Sequence, residues 1–302
     1  MYKDFQSCGY LIPTNKSKKW IPDEAYTASS IATGYPVKEG SISMDSTGSA
    51  LSTFFDIARE SHKKTGLITN ASLSYITPAC FTTHSPNWED EYTFAEKQLE
   101  TDLDLLFGGG QKFFMKNDNI EDFQNTIGQR GYQYINQLAQ IDIINPALQK
   151  VIGLFAEEEI EHSESRDINL EKMTKTALDF LDSRRGFVLL INDTHLDWYS
   201  HQKQERNILL ELNNISSLME TIVDYQKKHS NTLIVFIGAY DCGGYSVTES
   251  VQYGDKGQLK QVSRKHTANF TPILARGRYH HKFNQIMTPA QLGTLLKKIA
   301  AN

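Results

Sequence analysis

Residues 186–191 read GFVLLI and residues 232–238 read TLIVFIG, two apolar runs without polar alternation, each bounded by turn-forming residues. A strand with one wet face alternates apolar and polar residues, whereas a strand covered by helices on both faces does not. Residues 65–69 (TGLIT), 151–155 (VIGLF) and 272–275 (PILA) have the same character. Between these runs lie stretches with helical spacing: Leu51, Phe54, Phe55, Ile57 and Ala58; then Met173, Ala177, Leu178 and Leu181; then Ile208, Leu209, Leu212, Ile215, Leu218, Met219 and Ile222. Strands that alternate with helices predict an α/β chain, a three-layer sandwich whose central sheet is mainly parallel. The whole chain, 1–302, reads as one domain. Residues 240–265, rich in Gly, Ser, Tyr and Gln, read as a loop excursion from it.

Composition narrows the function. The chain has 302 residues, 39% hydrophobic and 22% charged, which is ordinary for a globular protein. A formal charge of −5 and the lack of a basic stripe argue against a nucleic-acid partner. The densest basic cluster, Lys16, Lys18 and Lys19, reads as a solvated loop. Cys8, Cys80 and Cys242 lie far apart with no CxxC, which excludes a disulfide framework and a cysteine-built zinc motif. No apolar run approaches the roughly 18 residues of a membrane span. No signal segment is visible at the N-terminus.

Four colinear segments carry a resemblance: residues 23–34 (DEAYTASSIATG), 66–87 (GLITNASLSYITPACFTTHSPN), 102–114 (DLDLLFGGGQKFF), and 187–244 with LINDTHLDWYSHQ and TLIVFIGAYDCGGYS. They are followed by His266 in RKHTANFTP. Together they resemble the alkaline phosphatase family in order and spacing over nearly the whole chain. The resemblance implies an alkaline-phosphatase-like fold and a known chemistry. A serine attacks a phosphomonoester, two zinc ions about 4 Å apart stabilise the entering and leaving oxygens, a magnesium supports the site, and an arginine grips the phosphate.

Carried over position by position, most of that chemistry is replaced. The nucleophile position holds Glu24, a carboxylate, and Trp88 stands where the arginine belongs. Glu24 has a plainer alternative, decorating the first turn of a helix. Trp88 has no charge and one donor, so it is expected to fill or cover the phosphate position. Of the magnesium ligands only Thr77 survives, with Tyr75 and Asn192 at the others, so magnesium is not expected. Asp193 beside it is expected to point to the opposite face. Ala239-Tyr240 replaces the Asp-His pair of one zinc site, and Asp241 falls two residues late. By the same resemblance, residues 1–9 match the run before the family's second strand, so the first strand and its bridging aspartate are expected to be absent.

The other zinc site keeps Asp197, His201 and His266, two histidines and a carboxylate with an open fourth position. The plainer reading is that their hydrogen bonds tie loops together. His195, His280 and His281 read as ordinary exposed histidines. Fold-shaping residues persist as well: Gly108–Gly110, Thr33-Gly34, Thr77-Pro78 and Gly243-Gly244. The expectation is therefore an inactive binding or structural subunit with one zinc, joined to a protein partner or to a second copy of itself. Two alternatives stay open: a single-zinc hydrolase of altered chemistry with Glu24 as general base, and a phosphatase completed by another chain. The resemblance also implies a periplasmic or extracellular home.

Overall fold

All five expected strands form in the computed structural model, which describes residues 2–13, 21–88, 90–115, 119–145, 150–161, 168–247 and 259–302. The basic cluster at Lys16, Lys18 and Lys19 lies outside the described residues. Contacts gather the chain, read above as one domain, into two compact units. One comprises Asp23–Asp193 with Pro289–Asn302, the other Met1–Pro22 with Thr194–Thr288. No helix among the described residues is long and apolar enough to cross a membrane.

The larger unit is built on a five-stranded sheet in the order Tyr132–Ile135, Lys150–Leu154, Leu105–Gly109, Lys64–Ser72, Phe187–Asn192. Every pairing in it is parallel. Lys64–Ser72 is buried at every position after the first, the burial that its unbroken apolar run anticipated. Parallel strands need crossovers, and helices Phe54–Glu60 and Leu170–Leu181 lie on either side of strands in sequence and pack on this sheet. Thr53 and Asp56 form a reciprocal capping box at the start of the first helix, and Asn169 caps the second. Gly66 lets the second helix sit close on the sheet, since a Cβ there would lie 2.6 Å from Leu181 Cδ1 and push that side chain aside. Fully buried side chains such as Leu67, Ile68, Leu105 and Leu181 each contribute about 1.5–3 kcal/mol.

Helix Glu24–Thr33 is buried from Ala25 onward. It ends at Gly34 in the left-handed region (φ 76°), where a side chain would be strained. The C-terminal helix Pro289–Ala300 fixes its position. Gly293 lies so close that a Cβ would meet the Ile31 carbonyl oxygen at 2.3 Å. Thr294 Oγ1 donates to the Gly34 carbonyl at 3.0 Å.

The smaller unit carries a four-stranded sheet ordered Ile286–Met287, Ser7–Leu11, Thr271–Gly277, Leu233–Ile237. Here the parallel expectation does not hold. Thr271–Gly277 runs antiparallel to both its neighbours. Among the described residues no helix intervenes between Leu233–Ile237 and Thr271–Gly277, so the chain returns alongside without a crossover. The 24-residue helix Glu205–Lys228 packs Ile215, Met219 and Val223 with Ile234. Leu209 and Leu212, placed on its apolar stripe by sequence, are exposed. Leu209 sits about 100° round the helix from Ile208, outside the buried arc. Glu211 takes part of that arc instead. The expected excursion at 240–265 pairs Ser246–Val247 with Leu259–Lys260 within itself, and its Asp241–Cys242 pairs with His266–Thr267 just beyond it. Its residues 248–258 lie outside the described residues.

Candidate metal centre

The smaller unit brings Asp197, His201 and His266 close together. Asp197 and His201 lie four residues apart on helix His195–Gln202, so both side chains leave the same face. His266 comes from the ladder His266–Thr267. Its Nε2 is 3.2 Å from Asp197 Oδ1, and His201 Nε2 is 3.5 Å from Asp197 Oδ2. The two imidazole centroids are 5.1 Å apart. His201 Nδ1 lies 2.5 Å from the Arg264 carbonyl oxygen. That oxygen only accepts, so Nδ1 carries a proton and Nε2 is the ring nitrogen turned toward Asp197.

Sequence reasoning missed Cys242. It pairs directly across the ladder from His266, and such opposed residues share one face of the sheet. One ligand atom from each of Asp197, His201, Cys242 and His266 can be chosen so that all lie within 4.8 Å of one another. A tetrahedral zinc site with these ligand types holds its donors roughly 3.3–3.8 Å apart. The group therefore fits such an ion with a small contraction, and its two imidazoles and thiol suit zinc over magnesium. Burial, with Asp197 beside it, pushes the Cys242 thiol well above its ordinary value. The missing signal was spacing: Cys242 has no second cysteine near it in sequence, and only the ladder register places it beside His266.

Asp241, the residue two positions late, turns away. Its Oδ2 accepts from Thr267 Oγ1, from Gly244 N–H at 3.1 Å and from Asn269 Nδ2 at 3.2 Å. Tyr240 packs its ring on His266, centroids 4.1 Å apart. His195 corrects an expectation: it is buried, with Nδ1 3.9 Å from Oε2 of the buried Glu211. It lies on the inner side of its helix, between the Trp198 and Tyr199 rings. His280 Nδ1 pairs with Ser7 Oγ at 2.8 Å, and His281 is exposed.

The other sequence-selected residues belong to the larger unit. Glu24 opens helix Glu24–Thr33, but Asp23, not Glu24, caps it, accepting from Tyr26 N–H at 2.6 Å. Glu24 does more than decorate the first turn. Its Oε1 accepts from Thr77 Oγ1 at 2.6 Å, and the Tyr75 hydroxyl is 3.5 Å from its Oε2. Asn192 Nδ2 donates to Thr69 Oγ1 at 3.1 Å, and Asp193 accepts from Asn70 at 3.2 Å. Trp88 is 37% exposed, and its indole lies beside Gly40. The left-handed turn at Gly40 presents bare backbone, a flat seat for an aromatic edge.

Comparison with known proteins agrees with this architecture. A family model described as alkaline phosphatase matches residues 3–261. The chain is 27% identical to alkaline phosphatase 3 of Bacillus subtilis over 239 residues, 75% of this chain and 50% of that protein. It is 24% identical to streptomycin-6-phosphate phosphatase of Streptomyces griseus over 340 residues, 89% of this chain and 76% of that protein. It spans about half the length of the Bacillus and yeast alkaline phosphatases that it resembles. Among solved structures, the alkaline phosphatase of the Antarctic bacterium TAB5 superposes with a TM-score of 0.88 at 21% identity, covering 99% of this chain and 89% of that one. The Thermus thermophilus alkaline phosphatase gives 0.87 at 16% identity, covering 100% and 84%. The alkaline-phosphatase-like α/β fold, with its mainly parallel sheet flanked by helices, is thereby established.

Proposed function

We propose, from the premise that this chain belongs to the alkaline phosphatase family, that it is a catalytically silent member acting as a binding or structural subunit with one zinc site. The observation that carries this reading is the state of Glu24. At the position matched to the family's nucleophile stands a carboxylate that already accepts a 2.6 Å hydrogen bond from Thr77. A carboxylate there repels a phosphate dianion, and its attack would yield an acyl phosphate in place of a phosphoserine. At the position matched to the arginine, Trp88 supplies no positive charge to offset that repulsion. Asp197, His201 and His266 would hold the ion, which when bound supplies Lewis acidity or a fixed cross-link between helix and ladder. The residues themselves do the orienting: Arg264 sets the His201 tautomer, and Tyr240 lies against one face of His266.

A protein partner is proposed with it. Among the described residues Phe187–Asn192 stands at one end of its sheet. The partner proposed is a protein or a second copy of the chain that pairs with a sheet edge. No nucleic acid and no membrane span enter the reading, and a periplasmic or extracellular home remains part of the proposal.

The test pairs elemental analysis with an assay of p-nitrophenyl phosphate hydrolysis on the purified chain and on His266→Ala. The expected result is about one zinc per chain, lost in the variant, with no turnover above background in either. Turnover that disappears in Glu24→Ala would overturn the silent reading.

A further inference from the structure

We infer that Cys242 is a fourth protein ligand of the ion held by Asp197, His201 and His266, so that the site is closed and structural. The inference rests on the zinc reading of those three residues and specifies what that reading leaves open, the occupant of the fourth position. Three features of the smaller unit support it.

The first is register. Cys242 and His266 are opposed in a two-residue antiparallel ladder, and Asp241 is opposed to Thr267. Successive residues of a strand face opposite ways, so one face of the ladder carries Cys242 and His266 and the other carries Asp241 and Thr267. The second face is closed on itself through the Asp241 carboxylate, which accepts from Thr267, Asn269 and the Gly244 N–H. This fastening leaves Cys242 turned toward Asp197. It also explains why the nearer-looking acid, Asp241, does not join the group.

Pre-orientation is the second feature. The Arg264 carbonyl, two residues before His266, holds His201 through Nδ1 and leaves Nε2 for an ion. One loop thus supplies both a ligand and the support of another. The third feature is donor chemistry. A thiolate, two imidazoles and a carboxylate make a complete tetrahedral set for zinc. Catalytic zinc sites keep three protein ligands and an open position for water. With a sulfur in that position, no site for a metal-bound nucleophile remains. The closed set therefore separates a structural ion from the altered-hydrolase alternative.

X-ray absorption at the zinc edge on the full, zinc-loaded chain decides the matter. The expected spectrum has one sulfur near about 2.3 Å among nitrogen and oxygen scatterers near about 2.0–2.1 Å. Cys242→Ser should lose the sulfur shell and hold zinc more weakly, by more than roughly tenfold, while Cys8→Ser keeps both. Circular dichroism of each variant confirms that it folds. Replacing zinc by cobalt(II) gives a second readout: a near-ultraviolet thiolate-to-cobalt absorption in the parent and in Cys8→Ser, absent in Cys242→Ser. Bound zinc with no sulfur neighbour would overturn the inference and leave the three-ligand site standing. A sulfur shell that survives in Cys242→Ser would overturn it as well. A chain that binds no zinc would overturn this inference and the zinc reading beneath it.

Discussion

The neighbourhoods of Asp197 and Glu24 are each built on a carboxylate but gather different partners. Around Asp197 stand two imidazoles and a thiol, with one donor atom of each within 4.8 Å of the others. Around Glu24, the carboxylate draws in hydroxyls: Thr77 donates to one oxygen and the Tyr75 hydroxyl lies near the other. Hydroxyls satisfy a carboxylate but do not compete for a soft cation, whereas imidazole and thiolate do. On the proposed reading the difference is regional: hydroxyl donors gather on the Glu24 carboxylate, while the Asp197 group carries the donor types that zinc takes.

The largest effect that tests this contrast is metal removal. If the Asp197 face is completed by an ion, zinc at a thousand times its Kd should stabilise the fold by about 4 kcal/mol, and a chelator should remove that gain. His266→Ala should melt at the chelated temperature with or without zinc. Thermal unfolding with and without chelator checks both. A parent chain whose melting ignores zinc would erase the distinction between the two faces.

Smaller effects probe the Glu24 side. Thr77→Val removes the donor to Glu24 and leaves a partly buried carboxylate under-satisfied, at a cost of about 1.5–3 kcal/mol in urea unfolding. A neutral result would mean that water serves Glu24 equally well. Gly293→Ala addresses how its helix is seated. The added methyl meets the Ile31 and Ser30 carbonyls at 2.3 and 2.7 Å, so the C-terminal helix must shift, for about 1–3 kcal/mol. Both variants should leave zinc content unchanged. Loss of zinc in either would show that the two neighbourhoods are coupled.

How much of this was legible in the sequence follows from range. Lys64–Ser72 was readable because a strand covered on both faces leaves a continuous apolar run, and Phe187–Asn192 carries such a run although it is only half-buried. Ser7–Leu11 was not, since SCGYL alternates buried and exposed residues and carries little apolar signal. Leu105–Gly109 ends in glycines that read as a turn. The antiparallel return of Thr271–Gly277 depends on a missing crossover, which local pattern does not report. At the site, Asp197 and His201 were visible through helical spacing and family position. Cys242 depends on a register across 24 residues, and burial of His195 depends on Glu211 from the next helix. Trp88 was judged by what it lacks, and charge alone could not say that its indole would lie beside Gly40.

The smallest effect concerns Tyr240, which separates a packing role from a ligand role on the Asp197 face. Its ring lies 4.1 Å from the His266 centroid at 32°, close enough to hold the imidazole's orientation through ring contact. Aromatic pairs of this kind contribute about 0.5–1.5 kcal/mol beyond their burial. Tyr240→Leu keeps apolar bulk and deletes the ring, so zinc affinity should fall about two- to tenfold, with the stoichiometry and any zinc–sulfur distance unchanged. Competition with a chromophoric chelator measures the affinity. A loss approaching that of His266→Ala would mean that the tyrosine itself contacts the ion. No loss would mean that Arg264 and the ladder alone set the geometry.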